Sequence, residues 1–442
     1  MEESTIISKK MIKPSSPTSS SLRRHNFSFL DQVNCFEYIP MASFYSKPQN
    51  YNINQISDIL EKSLSKVLSF YYPFAGKIMD NKYVDCNDQG VEYLNVQINC
   101  PMSQVLNNPY VEALDVVFPQ DLPWNTTSLD RSALVVQLTH FNCGGLAVSV
   151  CISHKIADGY SIGQFLKDWA STTRDDQLDF KPSPWFGANS LFPSKLDDPP
   201  IVNGITREPQ RLSKAYHFSS SNLGRLKDMV VATNSGVVHN PTSIEVATAL
   251  VHKCAVVSSS TLLSTDENHP PTTTSMFKPS LLWHVMNLRP PLPLNAIGNG
   301  TYYFTAIATS EDEIQVPNFV DQLGKAKQHV KDMLKDININ ELGSRALEES
   351  KVAKNIMADD EYYLCSSFRN FGLYTIDFGW GRPIRVTPAS HPRKKTLIFL
   401  DDPNGDGLNV LITLTQHHML LFQNSKDLLE FASPIGISQN II

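Results

Sequence analysis

Twelve histidines are spread over this 442-residue chain, and only His154 has an aspartate four residues on, in Ser153-His154-Lys155-Ile156-Ala157-Asp158-Gly159. A neutral imidazole, with an ordinary pKa of about 6.5, can take a proton from a hydroxyl at neutral pH. Such a base is worth ~10²–10⁴ in rate when the hydroxyl oxygen attacks a carbonyl. A His-x-x-x-Asp pair is common by itself, and its bland reading is a surface His that caps or pairs near a helix start. The following glycine and the preceding apolar run make chance a weaker explanation. A second stretch, Asp377-Phe378-Gly379-Trp380-Gly381, lies far downstream.

The elements that must position His154 can be read from its neighbours. Arg131 to Phe141 has strand composition, Asn142-Cys143-Gly144-Gly145 supplies a turn, and Leu146 to Ser153 is a second, nearly all-apolar strand. Together they predict a hairpin that delivers His154. Ile162, Phe165, Leu166 and Trp169 then recur at the spacing of one buried helix face. Asp158 falls where that helix begins, where a carboxylate can hold unpaired amides or a cation. Gly159 permits close backbone approach.

Two other chemistries share these residues. Gly159-Tyr160-Ser161-Ile162-Gly163 fits the nucleophile elbow of serine hydrolases. An elbow serine stands on the turn directly after its strand, however, whereas Ser161 falls inside the first turns of the helix, where it is expected to face solvent or cap. Asp377-Phe378-Gly379 spells a kinase magnesium motif, but no Gly-rich loop, His-Arg-Asp loop or Val-Ala-Ile-Lys strand accompanies it.

Composition narrows the class further. A chain 41% hydrophobic and of this length supports two cores of ordinary size. A net charge of −6 argues against a nucleic-acid footprint. Seven cysteines without a Cys-x-x-Cys pair fit reduced thiols, hence the cytosol, better than a disulfide framework or zinc site. His417-His418, on an expected strand, would point to opposite faces and could not ligate one metal together. The Ser-rich first 25 residues carry Lys and Arg, yet Glu2, Glu3, Pro14 and Pro17 and the lack of an apolar core argue against a targeting peptide. No stretch approaches the roughly 18 apolar residues that cross a bilayer.

Taken together, the His154–Gly159 and Asp377–Gly381 motifs resemble those of the plant BAHD acyl-CoA-dependent acyltransferases. Phe27-Ser28-Phe29-Leu30-Asp31 resembles the early Leu-Ser-x-Leu-Asp segment of that family, Tyr71 to Lys77 its Tyr-Pro-x-Ala-Gly-Arg turn, and Val84 to Val91 the strand-turn-strand after it. Pro290-Pro291-Leu292-Pro293 and Gly298-Asn299 resemble the segment that runs along coenzyme A. The resemblance covers the whole chain and extends to the alkaloid-acylating, vinorine synthase-like branch. The chain departs from that branch in two places. Arg289 runs straight into Pro290, and Ser366-Ser367-Phe368 stands where many members have Thr-Ser-Trp.

The resemblance implies an α/β, two-domain CoA-dependent acyltransferase fold of the chloramphenicol acetyltransferase type, each domain a mixed sheet flanked by helices. The base would be reached through a channel between the domains. It implies His154 as general base, Asp158 turned away from substrate and paired with Arg289, and Asp377, Gly379 and Gly381 as a structural turn. Asn299 and the Ser366 hydroxyl are expected to contact the acyl donor. Ser243 is a further candidate contact, because the capping box Thr242-Ser243-Ile244-Glu245 opens a helix whose free amides suit an anion. That helix, Ile244 to Val257, should give way to a polar loop from Ser258 to Thr274 with Pro270-Pro271. The expected domains are residues 1–180 with His154 and Asp158, a Pro-rich crossover at 181–213, and 214–442 with the Asp377–Gly381 motif.

The expected activity is transfer of an acyl group, first of all acetyl, from acyl-CoA to a hydroxyl of a plant specialised metabolite such as an alkaloid. Both substrates would be bound at once, so no covalent enzyme intermediate is required. The partners are then acyl-CoA and a small acceptor alcohol, with no permanent cofactor, metal, nucleic acid or membrane, and the protein is a monomer. The alternatives are malonyl-CoA as donor or an amine as acceptor, and, more remotely, ester hydrolysis by Ser161. Assays of free thiol release separate these: His154→Ala should remove nearly all transfer with the fold intact, and Ser161→Ala should leave most of it. Loss of turnover in the serine variant alone would point to the hydrolase.

Overall fold

The structure, a computed structural model, describes residues 4–35, 37–120, 132–174, 180–194, 210–233, 240–264, 277, 279–336 and 362–436. It is mixed α/β and divides into two compact units. The first comprises residues 1–207, 287–301 and 368–392, and the second 208–286, 302–367 and 393–442. The expected linear division is therefore crossed twice by the chain, and the Asp377–Gly381 motif clusters with the first unit rather than with 214–442. Of the expected crossover, 195–209 lie outside the described residues. Trp185 forms an isolated parallel bridge with Ala296 in the first unit, and a strand begins at Arg211 in the second.

The first unit is built on a six-stranded sheet in the order Ser4–Ile12, Val91–Ile98, Leu134–Phe141, Leu146–Ser153, Tyr38–Tyr45, Arg385–Thr387. Only the pair Val91–Ile98 and Leu134–Phe141 is parallel, and the remaining pairings are antiparallel. The predicted hairpin sits at its centre. Leu134–Phe141 and Leu146–Ser153 are buried at every position, the pattern of strands covered on both faces. Arg131 itself lies outside the described residues. A small three-stranded sheet, Arg24–Asn26, Tyr83–Asp85 and Lys77–Met79, completes the unit's strands among the described residues.

The helix after His154 spans Gly159–Arg174. It buries Ile162, Phe165, Leu166 and Trp169, the face anticipated from their spacing. It packs beside the helix Ile53–Leu68, where Trp169 Nε1 donates to Ser63 Oγ at 3.0 Å and Thr173 Oγ1 to the same oxygen at 2.8 Å. Ile53–Leu68 starts at a capping box in which Asn52 and Gln55 each accept the other's main-chain N–H. At full burial the Trp169 side chain also meets Phe378 edge-on, ring centres 5.0 Å apart.

The second unit carries a seven-stranded mixed sheet in the order Thr301–Ala308, Ser280–Asn287, Tyr362–Ser367, Thr396–Asp401, Leu408–Thr415, Arg211–Phe218, Ser433–Pro434. The helices Ser243–Ser264 and Val316–Asp336 pack together in it. The first of these runs past the expected end at Val257. Ser258 Oγ donates to Cys254 O at 2.7 Å, so its hydroxyl is satisfied within the helix and does not end it. The rest of the expected loop, 265–274, lies outside the described residues. His417 and His418 also differ from expectation, because they lie on the helix Gln416–Phe422, not on a strand. The Thr415 hydroxyl caps that helix, and the buried His418 ring donates from Nε2 to Ala255 O at 2.7 Å.

Candidate functional site

His154 is the first residue past the strand Leu146–Ser153, and its main-chain N–H donates to Glu37 O at 2.7 Å. Lys155 to Asp158 are buried around it, whereas His154 itself is half-buried. Its ring Nδ1 lies 2.9 Å from Asn299 Oδ1. Asn299, expected beside coenzyme A, is buried and fully engaged within the first unit: Nδ2 donates to His154 O at 2.7 Å and to Asp31 Oδ1 at 3.0 Å. Asp31 Oδ1 also accepts the Asn299 main-chain N–H at 2.9 Å. Asp31 Oδ2 accepts from Ser28 N at 2.9 Å and Ser28 Oγ at 2.6 Å.

The loop that brings Asn299 to His154 is held by the Asp158–Arg289 ion pair. Arg289 Nη1 is 2.8 Å from Asp158 Oδ2, and neither side chain is appreciably exposed. Arg289 Nη2 donates to Asp158 Oδ1 at 3.3 Å. Asp158 also accepts two amides, from Ser161 at 2.8 Å and from Gly300 at 2.8 Å. The carboxylate thus caps the helix Gly159–Arg174 and ties the 287–301 segment to it. Arg289 in turn donates to Ala296 O, Gly298 O, Gly300 O and Asn287 Oδ1, which closes that segment around its guanidinium. The guanidinium carbon lies 4.6 Å from the ring centre of Tyr160.

These partners decide the charge state of Asp158. Burial pushes its carboxyl up, but the Arg289 charge, its hydrogen bonds and the Ser161 and Gly300 amides outweigh that and hold it below the usual carboxylate range. Gly159 is fixed by a close approach, since a Cβ there would lie 2.4 Å from Phe368 Cε1. Phe368 stands where many family members carry the Trp of Thr-Ser-Trp.

Ser161 neither faces solvent nor caps its helix, the two outcomes the sequence suggests. Its side chain is fully buried, Oγ donates to Gly298 O at 2.9 Å, and it accepts from Gly298 N and Arg289 Nη2 at 3.2 Å each. Those contacts make it a brace between helix and loop, with no imidazole among them. The Asp377–Gly381 segment is a separate turn in the same unit. Asp377 Oδ1 accepts the amides of Gly379 at 2.8 Å and Gly381 at 2.9 Å, both glycines having φ above +100°. Arg174 donates to Asp377 O, and Phe378 and Trp380 pack against Tyr45.

Ser243 and Ser366 belong to the second unit, at the start of the helix Ser243–Ser264 and on the strand Tyr362–Ser367. The expected capping box is formed: Glu245 N donates to Thr242 Oγ1 at 3.2 Å, and Thr242 N to Glu245 Oε2 at 2.8 Å. Both serines are half-buried. Among the described residues no cluster of three or more His, Cys, Asp or Glu is arranged to hold a metal. Among the described residues no helix is long and apolar enough to cross a membrane.

A model of the transferase family matches residues 3–429. The chain belongs to the plant BAHD acyl-CoA-dependent acyltransferases. It is 56% identical to acylsugar acyltransferase 3 of Solanum lycopersicum, over 98% of this chain and 99% of the relative. It is 38% identical to 17,18-epoxy-17-hydroxycur-19-ene N-malonyltransferase of Strychnos nux-vomica, over 97% of this chain and 90% of the relative. The crystal structure of vinorine synthase superposes with a TM-score of 0.83 at 26% identity, covering 99% of this chain and 100% of that one. The protein is thus an acyl-CoA-dependent acyltransferase with the two-domain fold of this BAHD family, and acyl-CoA is its co-substrate.

Sequence reasoning found His154, Asp158 and Arg289 but missed Asp31 and Ser161 as parts of the same arrangement. The available signals were the Ser28-x-x-Asp31 capping pattern and the glycines flanking Asn299. Removing one partner of a buried pair leaves an uncompensated charge, so Asp158→Asn should destabilise the protein by ~3–5 kcal/mol in chemical unfolding at neutral pH. Because the folded carboxyl titrates below its unfolded value of about 3.9, the stabilisation is present above that value and is lost as pH falls towards the folded one. The gap between wild type and variant should therefore narrow below a pH of about 4. A gap that stays constant down the acid limb contradicts the assignment.

Proposed function

We propose that His154 is the general base for transfer of an acyl group from acyl-CoA to a hydroxyl, with both substrates bound together. The half-buried ring, held at Nδ1 by Asn299 at the end of a rigid strand, is the observation that carries this reading. The imidazole takes the hydroxyl proton as oxygen attacks the thioester carbonyl, and the imidazolium returns it to the departing coenzyme A sulfur as the C–S bond breaks. No covalent intermediate on the protein is needed, which fits the enclosure of Ser161 by Arg289 and Gly298. Asp158, turned onto Arg289, acts by holding the loop and does not touch the substrate. Ser366, on its strand in the second unit, is proposed as a contact of the acyl donor through its hydroxyl. Ser243 is proposed as a donor contact at the free amides of its helix.

The acceptor we favour is a hydroxyl of a sugar or partially acylated sugar, supported by the Solanum lycopersicum relative at 56% identity. A second reading, acetyl transfer to an alkaloid alcohol, draws on the likeness to vinorine synthase. The Strychnos relative keeps a malonyl donor and an amine acceptor in view for that second reading. Seven cysteines held as thiols rather than disulfides fit a reducing compartment such as the cytosol, and a monomer suffices because the His154 setting is complete within one chain.

Purified protein incubated with acetyl-, malonyl- and longer-chain acyl-CoAs, each against free sugars, partially acylated sugars and alkaloid alcohols, tests this directly. Free thiol should appear only when a sugar acceptor is present, in step with a new ester. Thiol release independent of any acceptor would indicate hydrolysis, and acceptor dependence confined to alkaloids would move the second reading to first place. No release with any pair would overturn the proposal.

A further inference from the structure

We infer that Asp31 is a positioning residue for His154, acting through Asn299 to set which imidazole nitrogen carries the proton. The inference rests on the reading of His154 as the base. Asn299 Nδ2 has two neighbours, Asp31 Oδ1 at 3.0 Å and His154 O at 2.7 Å, and both are acceptors. Its Oδ1 faces His154 Nδ1 at 2.9 Å. Turning the amide over would set its oxygen against two acceptors in a buried place and leave them unpaired. The orientation is thereby fixed, and an amide oxygen opposite Nδ1 requires that nitrogen to be the donor. The lone pair of the neutral ring then lies on Nε2, which becomes the nitrogen able to receive the substrate proton.

Asp31 supplies one of the two contacts that resist the flip, and it does so from a prepared position. Its other oxygen is committed to Ser28 N and Oγ, its own N–H donates to Ser28 Oγ at 3.2 Å, and its carbonyl accepts from buried Lys155 Nζ at 3.3 Å. A capping box on the helix Phe29–Val33 thus presents its spare carboxylate oxygen to Asn299. Without Asp31, His154 O alone would hold the amide, and the ring would sample the tautomer with its lone pair turned inward, which cannot act as base towards substrate.

The test reads the tautomer directly. In protein labelled with ¹⁵N-histidine, the His154 signals, identified by their loss in His154→Gln, should show the neutral ring protonated on Nδ1. In Asp31→Ala the signals should shift towards a mixture, kcat should fall at least about 10-fold and KM for acyl-CoA should stay within about twofold. Ser28→Ala separates positioning from capping, since it removes the cap hydroxyl but leaves the Oδ1 side intact. It should lower thermal stability as Asp31→Ala does, yet keep the wild-type tautomer and a kcat within about twofold of wild type. If Asp31→Ala does not fold, Asp31→Leu keeps a side chain of similar shape, offers Asn299 no acceptor and should give the same mixture. A wild-type ring protonated on Nε2, an unchanged tautomer and kcat in a folded Asp31 variant, or an equal loss of kcat in Ser28→Ala would each overturn the inference. The base reading itself fails if His154→Ala retains turnover, a result that none of these tautomer measurements gives, so the two failures are distinct.

Discussion

The buried contact between Asp158 and Arg289 is the constraint on which the arrangement around His154 depends. Neither charge reaches water, and each is surrounded by hydrogen-bonding groups from a different part of the sequence. A buried pair of this kind contributes little net stability compared with a well-packed apolar contact. What it supplies is geometry. The carboxylate cannot be satisfied without the guanidinium, and the guanidinium gathers the carbonyls of 296, 298 and 300 around itself. The loop therefore has one low-energy course, and that course places Asn299 at the imidazole.

This arrangement divides work between charges and the neutral ring. Asp158 sits four residues from His154, yet its hydrogen bonds go to Arg289, Ser161 and Gly300. His154 is held by a neutral amide instead. A carboxylate opposite Nδ1 would stabilise the protonated ring. An amide oxygen fixes direction with less effect on charge, which suits the proposed role of His154 in taking up and releasing a proton.

Much of the fold was legible in the sequence because it follows local periodicity. The hairpin before His154 reads as two apolar runs around Asn142–Gly145, and the helix after it as Ile162, Phe165, Leu166 and Trp169 on one face. The cap at Thr242 was equally local. The course of the chain between the two units was not legible. Arg385–Thr387 joins the first sheet by pairing with Tyr38–Tyr45, a contact spanning most of the chain that no local pattern announces. The helix Ser243–Ser264 runs on past Val257 although a run of serines follows there, because the Ser258 hydroxyl is satisfied by the carbonyl one turn back. At the site, His154, Asp158 and Arg289 could be singled out by type and motif. Asp31, Asn299 and Ser161 act through hydrogen bonds to residues over a hundred positions away, and a polar residue's partner at that range has no signature in spacing.

If the ion pair governs the site, Asp158 and Arg289 act as one unit in setting the proposed base, His154. A double-mutant cycle on kcat, with Asp158→Asn, Arg289→Gln and the double variant, tests it most directly. If the pair works as described, either single change already releases the 287–301 loop, and the double variant should be no slower than the slower single one. Losses that simply multiply would mean that the two residues influence catalysis independently, and the account would be wrong.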